Sequence, residues 1–388
     1  MSAVLSADAL LEQASKATGL TDFGDLPFRE ALEAQLWGLE HESGHPPERL
    51  PALAGGLTAL LVKRLRLVDD RKRNPAIAEE RIVAPIVITG LPRTGSTHLH
   101  ALMATRPGAR APLQWEMSEP SPPPRRETFD DDPRIAKVQA ALDARPNAAA
   151  FQAIHPFGAR RPEQCIGLLD WSFITSTVLS AHHMPSYFAW FLAADQRPAY
   201  DHHRRTLQHL QWRHPGPWVL KWPKHVFALD ALLETYPDAR IVWTHRDPGT
   251  VVPSACDFVG TIRQASSPIY EPSRFGKEWS MLEELGLARA MAVREKVADE
   301  SRFYDLHYNG LMADPVAAIA GVHAHFGMSF DDETARRIAE FQDDNPQNKH
   351  GRHSYTAEQY GLNADLLRRR FAPYIARFGV EPDRPRSR

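Results

Sequence analysis

The run Ile86-Val87-Ile88-Thr89-Gly90-Leu91-Pro92-Arg93-Thr94-Gly95-Ser96-Thr97 constrains the fold more tightly than any other part of this chain. A short apolar, β-branched strand enters a loop bounded by two glycines and rich in hydroxyls. A helix then runs from Thr97 to Thr105 and stops near Arg106-Pro107-Gly108, where proline and glycine end it. In such a strand-loop-helix the successive backbone N–H groups and the positive end of the helix dipole form an anion cradle that needs no special side chain. The spacing Gly90-x4-Gly95 imitates the phosphate loop of nucleotide hydrolases, but Ser96 stands where those loops carry their lysine. The cation sits instead inside the loop, as Arg93.

A second strand-like run, Arg240-Ile241-Val242-Trp243-Thr244-His245, leads into Arg246-Asp247-Pro248-Gly249-Thr250-Val251-Val252-Pro253-Ser254, which sets Arg246 and Ser254 eight residues apart. With Pro92-Arg93-Thr94-Gly95-Ser96-Thr97 matching the pattern P-[RK]-[ST]-G-[ST]-[ST], the chain resembles the PAPS-dependent sulfotransferases over about residues 80 to 365. The resemblance extends to bacterial members related to the tyrosylprotein sulfotransferase branch. It implies 3′-phosphoadenosine 5′-phosphosulfate (PAPS) as donor cosubstrate and direct in-line transfer of its sulfuryl group without a metal. It also implies that Arg93, Thr94, Gly95, Ser96 and Thr97 surround the 5′-phosphosulfate, and that Arg246 and Ser254 grip the 3′-phosphate. The basic loop Asn348-Lys349-His350-Gly351-Arg352-His353-Ser354-Tyr355 falls where the family closes a basic loop over the nucleotide. Lys349, Arg352 or His353 is expected at the 3′-phosphate or purine side, with Tyr355 packed nearby; a solvated charged loop is the plain alternative.

Composition excludes several other classes. The 388 residues are 43% hydrophobic and 24% charged with a net charge of −2, so nothing draws the whole surface to nucleic acid or anionic membrane. Cys165 and Cys256 form no ligand or disulfide pattern, which leaves no structural metal to expect. The N-terminus lacks a basic, apolar leader and no run is long enough to span a bilayer, so the expectation is a soluble cytoplasmic protein. Oligomeric state is not readable from these residues.

The fold expected is α/β, a P-loop-like, mostly parallel sheet flanked by helices, with a helical N-terminal segment. Residues 1–80 read as helices packed on the core: Ser6 caps the first, and Phe28 to Glu40 and Leu50 to Val68 have apolar residues at helical spacing. Residues 81–375 form the α/β domain and 376–388 a flexible tail. Strands are expected at Ile82–Thr89, Trp218–Lys221, Arg240–His245 and Phe303–Tyr308, alternating with helices as parallel crossovers require. Both phosphate motifs and Lys221 lie at carboxyl strand ends, where such sheets bind ligands. The proline-rich stretch 119–134 reads as a long loop bordering the acceptor site, and Trp171 to Phe191 as core by default.

Four residues are assigned to the chemistry. Lys221, in Leu220-Lys221-Trp222-Pro223, resembles the Lys-x-Pro segment of the family and is expected to stabilise the leaving group; a snorkelling strand-end lysine is the bland alternative. Arg93 faces the transferred group from inside the cradle. Glu116 is the first choice of general base, because the tyrosylprotein branch carries a glutamate just beyond the first helix and Trp115 could supply the apolar wall that raises its pKa. A surface glutamate is the competing reading, and Glu119 is the near competitor. His225, in the Lys/His cluster after Lys221, is the second choice; His155, His182 and His183 are weaker, since the chain has 18 histidines. Arg160-Arg161-Pro162-Glu163 lies on the acceptor side with no assigned role. The acceptor is a hydroxyl of a small molecule, lipid or glycan. The alternatives to this transferase are a P-loop kinase or nucleotide hydrolase, which the missing lysine disfavours, and a scaffold that binds 3′-phosphoadenosine 5′-phosphate (PAP) without catalysis.

Overall fold

The computed structural model describes residues 5–145, 157–345 and 356–383. Four strands, β1 (Ile86–Gly90), β2 (Val219–Lys221), β3 (Arg240–His245) and β4 (Phe303–His307), form one all-parallel sheet in the order β2-β1-β3-β4. β1 is buried at every position, as a strand covered on both faces must be. Successive side chains serve opposite faces: Val87, Leu220 and Ile241 join one apolar cluster, while Ile86, Ile88, Val219 and Val242 join the other. The first strand starts later than expected. Ala84 takes a left-handed φ of 41° and its N–H donates to Asp238 Oδ2 at 2.7 Å, so the ladder begins only after Pro85.

The chain goes from β1 to β2 on one side, then returns to place β3 on the other side of β1. Such a reversal opens a crevice at the carboxyl ends of the strands. Its consequence is an ordered row: Lys221 ends β2, the Gly90–Gly95 loop follows β1, and Arg246 follows β3. Neighbouring strands lie about 4.8 Å apart, so the row spans roughly 10 Å.

The helices that matter for the site are α1 (Ala7–Thr18), α2 (Arg29–His41), α3 (Leu50–Arg73), α4 (Ser96–Met103), α5 (Gln114–Ser118), α6 (Arg197–Gln211), α7 (Pro248–Ser266), α8 (Pro272–Val297), α9 (Tyr308–Ala313) and α10 (Ala372–Phe378). Ser6 caps α1, its hydroxyl accepting from the Ala9 N–H at 3.4 Å. The run Asp69 to Arg73 is the last turn of α3, where its basic residues face the negative end of the helix dipole. Leu32, Leu61 and Leu65 belong to the same large apolar cluster as Leu220 and Trp243, and α3 packs on α6. Buried Arg64 anchors α3 by donating to the carbonyls of Phe23, Leu26 and Trp171 at 2.7, 2.7 and 3.2 Å.

Two expectations need correction. Residues 376–383 are not a free tail: α10 runs to Phe378, Val380 is buried in the core, and Asp383 is ion-paired to Arg246. The proline-rich stretch, expected as a long loop throughout, holds a short turn at Arg126–Thr128 and enters a helix at Pro133, and it is anchored where Arg134 donates to the carbonyls of Glu119 and Pro122 and the His209 ring contacts the Pro120 carbonyl. From Trp171 to Phe191 the large side chains Trp171, Phe173, Tyr187 and Phe191 are core. Cys165 and Cys256 are both free thiols, and both are buried.

Candidate active site

The phosphate loop is shaped by backbone conformations that glycine permits. Gly90 has φ 130°, and a Cβ there would lie 2.5 Å from the Thr244 carbonyl oxygen, so no larger residue fits against β3. Gly95 takes φ 82° as the residue before α4, and Arg93 takes φ 66° between them. The first N–H groups of α4 have no partner within the helix, and no side chain caps them. Thr94, expected as a donor ligand, uses its hydroxyl within the loop: Oγ1 lies 2.8 Å from the Leu91 carbonyl and 2.6 Å from Thr244 Oγ1. Ser96 is buried, whereas Thr97 is exposed on the crevice side.

The second motif meets the first directly. Arg93 Nε donates to Ser254 Oγ, in the second turn of α7, at 3.1 Å, and Arg246 Nη1 donates to the Arg93 carbonyl at 2.8 Å. Arg246 lies 3.7 Å above the Tyr308 ring and pairs with Asp383. Around it lies a cavity of about 260 Å³ lined by Arg246, His307, Tyr308, Asn309 and Asp383. Neighbouring His245 is held at β3's end by Asp305 at 2.8 Å and the Tyr374 hydroxyl at 3.0 Å. Asp305 in turn accepts from Arg294 at 2.7 and 2.8 Å, and against the upward push of burial the hydrogen bonds from His245 and Arg294 hold its carboxyl well below the usual carboxylate range. Asp247 is an internal brace, capping α7 through the Gly249 N–H and pairing with Arg368.

Lys221 is buried at the end of β2, and its Nζ donates to Thr97 Oγ1 across the crevice at 3.1 Å. Burial pulls its ammonium down from 10.5 to about 8, a fall that the carboxylate of Glu163 partly opposes. Glu163 is the site residue that sequence reasoning left unassigned. An isolated bridge between Leu113 and Pro162 and the hydrogen bond from Cys165 N–H to the Lys221 carbonyl, 3.0 Å, carry it beside Lys221. Burial pushes its carboxyl up, against the opposing pull of Lys221.

Glu116 lies apart from this group. It is fully buried, paired to Arg110, and accepts from the Leu113 N–H at 3.0 Å, so both carboxylate oxygens are engaged in holding α5. Arg110 also lies against the Trp218 ring and donates to the Leu210 carbonyl. This pair joins β2, α5 and α6 from within, which is a structural task. His225 is equally enclosed: Nδ1 lies 2.6 Å from the Tyr200 hydroxyl, and burial drives its pKa far below 6.5. Glu119 pairs with Lys137 at the surface, His182 with His45, and His183 with Arg274. His155, Lys349, Arg352, His353 and Tyr355 lie outside the described residues. Among the described residues no group of three His, Cys, Asp or Glu is placed to hold a metal. No helix among them is long and apolar enough to cross a membrane.

An α/β sheet with two linked phosphate motifs and a buried lysine on three adjacent strand ends is the frame of a sulfotransferase, and residues 85–332 match the sulfotransferase family. The chain belongs to that family. Among solved structures it is similar to sulfotransferase STF1 from Mycobacterium tuberculosis H37Rv, with a TM-score of 0.83 and 32% identity over 96% of this chain and 100% of that one. It is also similar to sulfotransferase STF9 from Mycobacterium avium, with a TM-score of 0.89 and 26% identity over 98% of each chain. The omega-hydroxy-beta-dihydromenaquinone-9 sulfotransferase Stf3 of Mycobacterium bovis and of Mycobacterium tuberculosis is 24% identical over 182 residues, 47% of this chain and 46% of that protein. The chain thus spans about half the length of the curated relatives it matches.

Proposed function

We propose that this protein transfers the sulfuryl group of PAPS to a hydroxyl of a small-molecule, lipid or glycan acceptor. The observation that carries the reading is the row across three adjacent strand ends: Arg246 with Ser254 beyond β3, the Gly90–Gly95 loop beyond β1, and Lys221 at the end of β2. A donor bearing a 3′-phosphate at one end and a 5′-phosphosulfate at the other fits that order, with its sulfuryl group toward Lys221. A stand-in supports the fit, because Arg246 already holds an anion, the carboxylate of Asp383.

In this account Arg246 and Ser254 bind the 3′-phosphate, while Arg93, the N–H groups of residues 94–97 and the Thr97 hydroxyl bind the 5′-phosphosulfate. The Lys221 ammonium stabilises the negative charge that gathers on the bridging oxygen as the S–O bond to the phosphate breaks. Glu163, not Glu116, takes the acceptor proton as the acceptor oxygen bonds to sulfur; its raised pKa and its place beside Lys221 suit that exchange. Positioning and fixed charge then supply the catalysis, with no metal in the scheme. The likeness to Stf3, whose name specifies a hydroxylated menaquinone, favours a lipid alcohol as acceptor class.

The test is transfer from labelled PAPS to a panel of lipid, phenolic and glycan alcohols, with Glu163→Gln and Lys221→Ala alongside. Acceptor-dependent release of PAP that both variants abolish supports the assignment. PAP binding with no transfer to any acceptor would favour the non-catalytic scaffold, and magnesium-dependent ATP turnover would favour a kinase or hydrolase.

A further inference from the structure

Arg246 is engaged in a way that a waiting phosphate ligand would not require. Its Nε–H lies 3.1 and 3.0 Å from Asp383 Oδ1 and Oδ2, and Nη2 donates to Oδ2 at 2.6 Å. Only 17% of the Arg246 side chain and 25% of the Asp383 side chain are exposed, so water screens this pair incompletely. The aspartate is delivered there by ordered chain. α10 ends on Gly379 in the left-handed conformation (φ 58°), Val380 turns into the core with its N–H on the Ile375 carbonyl, and Asn309 Nδ2 donates to the Pro382 carbonyl at 3.3 Å. Asp383 itself lines the cavity beside Arg246, Tyr308 and Asn309.

A carboxylate and a phosphate offer a guanidinium the same partner: two coplanar oxygens that match the fork of Nε and one Nη. Asp383 occupies that fork, and the Arg93 carbonyl takes a hydrogen of Nη1. A phosphate arriving at Arg246 therefore meets a negative group already seated on the edge that binds phosphate best.

We infer that Asp383 is an internal competitor of the donor: its carboxylate holds the fork of Arg246 that the donor's 3′-phosphate takes, and yields it on binding. The inference rests on the reading of Arg246 as a phosphate ligand. The segment 379–383 then sets donor affinity, and by returning to Arg246 it helps expel PAP after transfer. If Asp383 instead served to orient Arg246, its removal would weaken nucleotide binding, so the two roles predict opposite signs.

The experiment is calorimetric titration of PAP into the full chain and its Asp383→Asn, Asp383→Glu, Glu381→Gln and Arg246→Ala variants at fixed ionic strength, with the melting temperature recorded for each. Removing a half-buried competing ion pair should make Asp383→Asn bind PAP roughly 5- to 10-fold more tightly. Asp383→Glu should stay within about threefold of the parent, and Glu381→Gln should tighten binding clearly less than Asp383→Asn. Unchanged or weaker binding by Asp383→Asn at an unaltered melting temperature overturns the inference. So does an equal gain in Glu381→Gln, which would reduce the effect to general charge removal in the cavity. Absence of PAP binding by the parent protein would overturn the donor assignment itself, a distinct failure.

Discussion

Lys221 gives the sharpest quantitative expectation. Burial lowers its pKa from 10.5 to about 8, which corresponds to roughly 3 kcal/mol of lost preference for the charged form. An anionic group about 4 Å from Nζ returns about 4 kcal/mol at an effective dielectric near 20. Donor or PAP binding should therefore restore the ammonium almost completely. At pH 8 and above the phosphates of PAP are fully ionised, and about half of the free protein at pH 8 carries a neutral Lys221, so PAP binding should take up about half a proton there, approaching one at pH 9. The assay is PAP titration in two buffers of different ionisation enthalpy, whose apparent enthalpies differ in proportion to the protons exchanged. Lys221→Arg keeps the charge without titrating and should abolish the uptake while preserving binding. In turnover, kcat/KM should decline as pH rises through about 8, with the limb in kcat displaced upward. Zero uptake at pH 8, or the same uptake in Lys221→Arg, would refute the placement of the donor against this lysine.

The other expectations separate catalytic from structural groups. Glu163→Gln should lower turnover by about 100-fold or more, the usual effect of losing a general base, with PAP affinity within about threefold, as judged by steady-state kinetics and calorimetry. Glu116→Gln should leave Arg110 buried without its charge partner and cost about 3 kcal/mol in denaturant unfolding, while the folded fraction binds PAP normally. Gly90→Ala forces a Cβ to 2.5 Å from the Thr244 carbonyl at φ 130° and should weaken PAP binding at least about tenfold in the same titration. Burial holds His100 and His203 at about 3 and His209 at about 4, all below 6.5, so their stabilisation is complete above pH 6.5 and is lost as pH falls toward those values. The unfolded chain takes up the protons, costing about 1.4 kcal/mol per pH unit for each histidine. Near-UV circular dichroism should show cooperative unfolding before pH 4, and a native spectrum at pH 4 would contradict this.

What the sequence revealed and what it hid follow from the range of the interactions involved. The Gly90–Gly95 loop and the Arg246-to-Ser254 spacing are local geometry, written in residues that only a tight turn or a helix start requires, and both were legible. Lys221 stood out only through the family layout around it, since a strand-end lysine alone reads as a snorkelling one. Glu116 was preferred for its place beyond the first helix, while the neighbours of Glu163 in sequence gave it no role. Their difference lies in how distant elements place near neighbours: Arg110, six residues before Glu116, is held by the Leu210 carbonyl and neutralises it, whereas the backbone contact of Cys165 with Lys221 draws Glu163 to the crevice. Glu163's fate is thus decided by tertiary packing. Thr94 entered through the family pattern, which does not reveal that its hydroxyl is shared with the Leu91 carbonyl and Thr244. Asp383 carried no signal at all; a polar residue near a chain end reads as tail until α10 and Val380 are seen to anchor it.

The donor assignment depends on whether this chain binds an adenosine bisphosphate through the two linked motifs. Titration with PAP, with and without magnesium, and with ATP as the comparison ligand, measures it. Metal-independent PAP binding, at least about tenfold tighter than ATP and lost in Arg246→Ala, is the predicted result. A preference for magnesium-ATP, or PAP binding indifferent to Arg246, would contradict it.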